Sequence, residues 1–173
     1  MGQSLVRRTL AVLACAVACL LPQSVPAATL VRTQPPCSAT GGPCIDFTGA
    51  TTTAVLARSF AFDAPGRGAA QVFFNGSLFC VATSQGGANL TLEGQIVTSL
   101  SAAASAAGAG GQYYSITFEA SGRSDTFNMS ATRVFAIPAA GRQNYYFKLT
   151  KTLMHDGARC WVYGAAFSVI FAN

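Results

Sequence analysis

The sequence predicts an all-β protein, a single-domain antiparallel β-sandwich of jelly-roll type that is stapled by disulfides. Short segments of alternating apolar and polar residues recur along the chain, and Gly-, Pro- and Asn-containing turns separate them. The apolar pattern of an amphipathic helix is missing from the sequence. Four cysteines remain after an N-terminal leader, an even number that suits two disulfides in an oxidising compartment.

The N-terminus has the three parts of a secretory signal peptide. A basic start containing Arg7 precedes an apolar run, Leu10–Leu21, which is too short to span a bilayer. Small residues then allow cleavage after Ala27 or Ala28. We expect residues 1–28 to be removed, leaving a secreted, periplasmic or cell-surface protein without a transmembrane helix. A lipoprotein would instead be cleaved before a cysteine, but the apolar run continues past the cysteine at position 15.

Charge is scarce in this chain. Loss of the two arginines of the signal peptide lowers the formal net charge from +5 to +3, and the remaining basic residues are dispersed. Nucleic-acid binding needs clustered Lys and Arg, so we expect no nucleic-acid partner. A surface of Ser, Thr, Asn, Gln and Gly suits an exported protein that packs against neighbours or sugars.

The mature chain of about 145 residues is long enough for one domain with a core. We expect residues 29–49 to form an irregular Cys-, Pro- and Gly-rich leader, and residues 50–173 to form the β-sandwich. An Ala- and Gly-rich stretch near residues 101–111 predicts a flexible loop between two halves.

The first half of the sandwich contains three predicted strand regions. Ala54–Phe62 alternates and ends in a Pro-Gly turn. The next two strands, 71–74 and 78–82, flank Asn75-Gly76, the dipeptide typical of a two-residue hairpin. Residues 89–100 alternate at first, and Gly94 is a candidate bulge.

The second half alternates more regularly. Residues 113–120 predict a half-buried strand, and residues 127–132 lead into the segment Arg133–Asn173. That segment repeats Arg58–Ala82: in both, an Arg-containing strand, a Gly-Arg turn, an aromatic strand and a Cys-containing strand follow one another. Asp156-Gly157 predicts the last hairpin turn.

The four cysteines allow three disulfide pairings, of which we favour Cys37–Cys44 and Cys80–Cys160. The first pair closes a short loop that contains two glycines and a proline. The second joins equivalent ends of the two repeated segments. The single histidine and the cysteine spacing do not match a zinc site, so we predict no metal and no cofactor.

Three stretches carry a resemblance to a known family. RSFAFDAPGRGAAQVFF, RVFAIPAAGRQNYYFKL and YGAAFSVIFAN resemble the strand and turn segments of C1q/TNF-like jelly-roll heads in bacterial and phage surface proteins. The similarity covers about two-thirds of the mature chain. It implies a homotrimer that recognises ligands through loops or grooves, without catalysis.

Candidates for chemistry are few. His155 and Asp156 could act as a base and its orienting group, but a turn explains both residues, and no serine completes a triad. Glu93 and Glu119 are on different predicted strands and could face each other as a glycosidase pair. Trp161 follows Cys160, and we expect it to pack in the core against the disulfide.

Two tyrosine pairs are the candidate binding residues, Tyr113-Tyr114 and Tyr145-Tyr146. Neighbouring strand residues face opposite ways, so one ring of each pair is expected to point outward. Outward tyrosines can form a sugar-stacking platform or a subunit interface. The alternative to a binding role is that tyrosine occurs in these strands because of its high β-propensity.

These observations favour a secreted or periplasmic binding or assembly module without enzymatic activity, which recognises glycans or a protein partner. Two alternatives stay open. One is a hydrolase acting on an extracellular or cell-wall polymer. The other is a small outer-membrane β-barrel, which also needs alternating strands, although several strands predicted here are shorter than the bilayer requires.

Overall fold

The structure is a computed structural model, and the part of it described here is residues 29–37, 43–48, 54–83, 88–99, 111–154 and 157–173. The predicted signal peptide, most of the loop 101–111, and His155 and Asp156 lie outside these residues. The described residues form nine strands. Their bounds in chain order are β1 Thr29–Thr33, β2 Ile45–Thr48, β3 Ala54–Ala64, β4 Gly68–Ala82, β5 Ala88–Val97, β6 Gln112–Phe118, β7 Ser124–Ile137, β8 Gly141–Met154 and β9 Ala158–Ala172.

Two antiparallel sheets pack face to face, which confirms the predicted sandwich. Sheet A has the order β1-β9-β4-β7, and β2 also pairs with β9. Sheet B has the order β3-β8-β5-β6. With β2 taken as the first strand, this is the strand order of an eight-stranded jelly roll. Both sheets are open, with β7 at one edge of sheet A and β3 and β6 at the edges of sheet B.

Two stretches within the predicted leader 29–49 are regular strands. Instead of an irregular leader, this segment contains β1 and β2, which pair side by side with the two ends of β9. These strands could not be recognised in the sequence because they are only five and four residues long and are mostly exposed. Such short edge strands carry little of the alternation that marks longer ones.

The two repeated segments are crossovers between the sheets. The turn after β3 carries the chain from sheet B to sheet A, and the turn after β7 carries it from sheet A to sheet B. The first segment supplies β3 to sheet B and β4 to sheet A, and the second supplies β8 to sheet B and β7 and β9 to sheet A. This placement brings Cys80 on β4 opposite Cys160 on β9, with 4.1 Å between their Cα atoms.

Both predicted disulfides are present. Cys80–Cys160 lies in the core, where both cysteines are fully buried. Cys37–Cys44 closes the short loop between β1 and β2, with 5.5 Å between the Cα atoms. The fold is therefore stapled once inside sheet A and once at its edge.

Aromatic rings fill the space between the sheets. Phe74 of sheet A stacks on Phe147 of sheet B, with ring centroids 3.6 Å apart and planes 6° from parallel. Phe167 meets the Phe74 ring edge-on at 5.2 Å. These rings follow the period-two pattern of β4, β8 and β9, which places alternate side chains on the inner face.

The predicted hairpin at Asn75-Gly76 is wrong, because β4 runs straight through it. Asn75 pairs with Ala166 and Ser77 pairs with Tyr163, so two residues of β9 face Gly76. One of them, Gly164, has φ 61°, which is the left-handed conformation of a G1 bulge. A Cβ on Gly76 would lie 3.2 Å from Met129 Cε, so this glycine serves close packing and not a turn.

Gly94 also differs from its expected role as a bulge. The irregularity of β5 lies between Thr91 and Leu92. Gly94 instead leaves room for a core ring, since a Cβ there would lie 2.6 Å from Phe147 Cζ and 3.2 Å from Tyr114 Cε2.

Candidate binding groove

An open groove of about 550 Å³ lies on the outer face of sheet B, where β3 and β8 approach the end of β1. Its main polar side chains are those of Gln34, Arg142, Asn144 and Tyr146. We call it the Tyr146 groove. It combines one aromatic ring with several uncharged hydrogen-bonding groups, the composition of a site for a polar ligand.

The pairing of β3 with β8 forms the floor of the Tyr146 groove. Because Tyr145 and Phe147 point into the core, Tyr146 points outward from the same strand. Its partner across the pair is Ser59, and the partner of Asn144 is Ala61. Small side chains on β3 therefore leave space beside larger ones on β8.

The wall of the groove is the segment Gln34–Pro35, which Arg58 holds in place. The Arg58 guanidinium donates to Gln34 Oε1 at 2.9 Å and to the Pro35 carbonyl at 3.0 Å. Gln34 Nε2 donates to the Ser59 carbonyl at 2.9 Å, and its backbone N–H donates to the Phe167 carbonyl at 2.8 Å. The wall is thus tied to both sheets before any ligand arrives.

The groove contains one ion pair and one further arginine. Arg142 lies 3.6 Å from Asp63, and both side chains are mostly exposed, at 65% and 75%. An exposed pair of this kind contributes little stability. Arg58 in the wall is bonded to neutral groups of Gln34 and Pro35, so its positive charge is added to that of the pair.

The structure separates the four candidate tyrosines into two groups. Tyr114 and Tyr145 are buried in the core, at 5% and 1% exposure, and cannot reach an external ligand in this arrangement. Tyr113 is 53% exposed, and Tyr146 is partly exposed. The alternation predicted from the sequence is confirmed, whereas a binding role for any of the four stays a prediction.

Burial also shifts the acidity of the inner tyrosines. Loss of hydration raises the pKa of Tyr145 to about 12 and raises the pKa of Tyr114 further. The Tyr114 hydroxyl donates to Gln112 Oε1 at 2.8 Å. Both rings are neutral structural elements at any physiological pH.

The two outward tyrosines do not form one platform. Tyr113 is paired with Glu93, and Glu93 is paired with Thr150 on β8, four residues beyond Tyr146. Two strand spacings and four residues separate the Cα atoms of Tyr113 and Tyr146 by roughly 16 Å. Tyr146 is therefore the tyrosine that lies in the groove, and Tyr113 stands apart from it.

The two glutamates are too far apart for the chemistry considered for them. Glu93 pairs with Tyr113, and Glu119 follows six residues later, just beyond the end of β6. This register separates their Cα atoms by about 20 Å. A glycosidase pair needs carboxyl groups about 5 to 9.5 Å apart, so Glu93 and Glu119 cannot form one.

Trp161 does not pack against the disulfide, as was expected from its neighbour Cys160. It lies on the outer face of sheet A, between Phe79, whose ring centroid is 5.5 Å away, and the Arg159 guanidinium, 5.0 Å from the Trp161 ring. Arg159 donates two hydrogen bonds to the Asp46 carboxylate. The Trp161 ring thus contacts an aromatic ring and a guanidinium on the outer face of sheet A.

The described residues contain no group of three or more His, Cys, Asp or Glu side chains arranged to hold a metal ion. In this part of the chain we also find no helix with the length and hydropathy needed to cross a membrane.

Comparison with known proteins adds little to this description. No protein-family model matches the chain, and no curated protein matches it. Among solved structures, dimeric latent PorU from Porphyromonas gingivalis is similar with a TM-score of 0.40 and 10% identity, over 85% of this chain and 13% of that one. The infectious bursal disease virus Gx strain structure is similar with a TM-score of 0.31 and 11% identity, over 84% and 38%. This chain spans well under half of either, and similarity this low supports no functional argument.

Proposed function

We propose that the protein is an exported, non-enzymatic β-sandwich module that binds a neutral glycan in the Tyr146 groove. The observation that carries the proposal is the placement of the Tyr146 ring beside the amides of Asn144 and Gln34 in an open groove. A sugar ring offers one apolar face to an aromatic ring and hydroxyls to amide groups. The two disulfides support export to an oxidising compartment.

A binding screen tests this function. We expect the mature protein, residues 29–173, to bind at least one neutral hexasaccharide among cello-, chito-, xylo-, manno- and malto-oligomers, measured by titration calorimetry. Tyr146→Ala should weaken that binding at least tenfold, because it removes the ring. The matched control is Tyr113→Ala, an outward tyrosine roughly 16 Å from Tyr146. Equal affinity of wild type and Tyr146→Ala would contradict the proposal.

Binding without hydrolysis fits the geometry of the acids better than the hydrolase alternative does. That alternative depended on Glu93 and Glu119, whose separation is unsuitable for a glycosidase. Incubation of the bound hexasaccharide with the protein should leave its length unchanged in chromatography. A hydrolytic activity that disappears in Glu93→Gln or Glu119→Gln would favour the hydrolase.

A second function, self-assembly, has its own observation in the outer face of sheet A. The paired residues Val31, Ile170, Gln71 and Val134 form a row across four strands. Val31, Ile170 and Val134 are 55%, 38% and 63% exposed. The outward positions in the neighbouring rows hold only uncharged residues, namely Thr29, Ala172, Ala69, Ala136, Thr33, Ser168, Phe73, Thr132, Ala166, Asn75 and Ser130.

The occupant proposed for this face is a second copy of the chain. Four strand widths and the length of these rows give a projected area of about 500 Å², which approaches the roughly 800 Å² that each partner buries in a standard interface. An uncharged face on a sparsely charged protein matches itself better than it matches a charged partner. A face that contacts the same face of a second copy closes a twofold dimer, whereas the C1q/TNF-like resemblance implies a homotrimer, so the mass in solution distinguishes the two assemblies.

Light scattering tests the assembly. The purified mature protein should have a mass at least twice that of one chain. Ile170→Lys should shift it toward the monomer, because the substitution places a charge on β9, inside the row of paired residues. Thr117→Lys, on an exposed strand of sheet B, is the control and should leave the mass unchanged. A monomeric wild type would contradict this second function and leave the glycan proposal standing.

A further inference from the structure

A disulfide follows the wall of the Tyr146 groove within a few residues. Gln34 and Pro35 form the wall, and Cys37 is bonded to Cys44. Gln34 is three residues from Cys37 and eleven residues from Ile45, the first residue of β2. The disulfide therefore links the chain covalently to the start of β2 only three residues beyond the wall. Without it, the covalent path from the wall to β2 has eleven residues and correspondingly more freedom.

Little apolar packing holds the wall in place. β1, which leads into the wall, has five residues, of which only Leu30 is partly buried against the core. Of the three side-chain hydrogen bonds that connect the wall to Arg58 and Ser59, two are at exposed sites, where water competes for the same groups. Segments with few buried apolar contacts open locally at low free energy. We therefore expect the order of the wall to depend on the disulfide.

The two disulfides differ in their accessibility to a reductant. Cys37 and Cys44 are both partly exposed, whereas Cys80 and Cys160 are 0% exposed in the core. Thiol–disulfide exchange needs a thiolate that attacks one of the two sulfurs, so an accessible disulfide reacts in the folded protein and a fully buried one does not. A mild reductant should therefore open Cys37–Cys44 and leave the core disulfide intact.

We propose that the Cys37–Cys44 disulfide is a redox switch of the Tyr146 groove, whose reduction by a dithiol loosens the wall and weakens ligand binding. One thiolate of the dithiol attacks the Sγ of Cys37 or Cys44, the S–S bond breaks and a mixed disulfide forms. The second thiolate of the dithiol then displaces the protein thiolate. The protein gains two electrons and two protons, and the dithiol becomes a cyclic disulfide.

The effect on binding rests on the proposed glycan-binding function and adds regulation to it. A ligand that contacts the wall binds only those molecules in which the wall is in place, so its apparent dissociation constant rises as that fraction falls. A wall that is in place about one-fifth of the time lowers the affinity about fivefold.

Hydrogen exchange tests the switch without a ligand. After treatment of the mature protein with dithiothreitol, alkylation and mass spectrometry should find two labelled thiols, those of Cys37 and Cys44. The backbone N–H groups of Gln34 and Cys37 donate to the carbonyls of Phe167 and Ala165 at 2.8 and 3.0 Å, so their exchange rates report on the wall. We expect both rates to rise at least tenfold on reduction, while amides of β4, which is paired on both sides, stay unchanged.

The double variant Cys37→Ser, Cys44→Ser should loosen the wall without a reductant. Titration calorimetry with the hexasaccharide that the wild type binds should show at least a fivefold loss of affinity for this variant and for the reduced wild type. The matched control is the double variant treated with dithiothreitol. It should bind as the untreated variant does, because its remaining disulfide is fully buried.

The outcomes separate the switch from the function beneath it. Labelling of no thiol, or of all four, would contradict selective reduction. If two thiols are labelled and the exchange rates of Gln34 and Cys37 do not change, the switch is overturned whatever the ligand does. If the wall exchanges faster while the double variant binds with wild-type affinity, control of binding is overturned and the glycan proposal stands. If the oxidised wild type binds no hexasaccharide of the panel, the glycan function is overturned, and the exchange rates alone decide whether the disulfide holds the wall.

Discussion

Among the carboxyl groups of the described residues, Asp46 has a lowered pKa. Hydrogen bonds from Arg159, and to a smaller extent from Trp161, hold the pKa of this carboxyl below its usual value of 3.8. A lowered pKa in the folded state stabilises the fold while the carboxyl is ionised. That contribution is complete above pH 3.8 and disappears as the pH falls through the folded-state pKa.

Asp46→Asn should therefore lower stability at neutral pH and not in strong acid. The urea midpoint should fall by no more than about 0.5 M at pH 7, because exposed ion pairs contribute little. As the pH falls below 3.8, the difference between the midpoints of wild type and variant should become smaller. Asp63→Asn is the control, since its partner Arg142 is 3.6 Å away and both side chains are more exposed. A difference that does not decrease at all as the pH falls below 3.8 would contradict this account of Asp46.

For single residues, the sequence predicted side-chain orientation correctly where apolar and polar residues alternate strictly along a strand. It predicted that one tyrosine of each pair faces out, and Tyr113 and Tyr146 do. The prediction that Trp161 packs against the disulfide was wrong, because it rested only on Trp161 following Cys160 in the sequence. Neighbours on a strand point to opposite faces, so a core cysteine places the next residue outside.

Gly94 on β5 gives a prediction at the element scale. Gly94→Ala would place a methyl group 2.6 Å from the ring of Phe147, which is itself stacked on Phe74. Overpacking of a full core costs about 1–3 kcal/mol. The control is Gly66→Ala in the turn after β3, where a Cβ meets nothing within 4 Å. Thermal unfolding should show a clear loss for the first variant only, and equal melting temperatures would contradict the packing described here.

The elements themselves were predicted unevenly. The long strands β3, β7 and β8 could be recognised in the sequence. One face of each is buried and the other is exposed to solvent, so apolar and polar residues alternate with a period of two. The Asn75-Gly76 dipeptide predicted a hairpin because a turn and a bulge both select glycine. Only the partner strand distinguishes the two, and β9 supplies the extra residue that makes Gly76 part of a bulge.

At the scale of the whole molecule, the two disulfides should differ in what they contribute. Cys80–Cys160 closes a separation of 80 residues, and Cys37–Cys44 closes one of 7. In the chain-entropy model these loops correspond to about 4 and about 2 kcal/mol. Urea unfolding of the two double alanine variants should show the larger loss for the Cys80–Cys160 pair. The reverse order would show that effects in the folded state outweigh loop entropy.

The sandwich could be predicted from the sequence, whereas the Tyr146 groove could not. Local alternation and turn chemistry specify strands, and many short strands without helices fit few architectures. The groove needs Gln34, Ser59 and Tyr146 together, and these lie on three separate segments of the chain. The sequence showed Tyr146 as an outward ring but gave no sign that Arg58 holds Gln34 beside it.

The central claim is that a neutral glycan binds beside Tyr146, and mapping the binding site by nitrogen–proton spectroscopy tests it most directly. The mature protein would be titrated with the hexasaccharide that it binds. The account predicts that the shifted backbone amides cluster at Ser59, Asn144 and Tyr146, and that those around Trp161 on the other sheet stay unchanged. Shifts confined to sheet A, or no shift with any member of the panel, would contradict it.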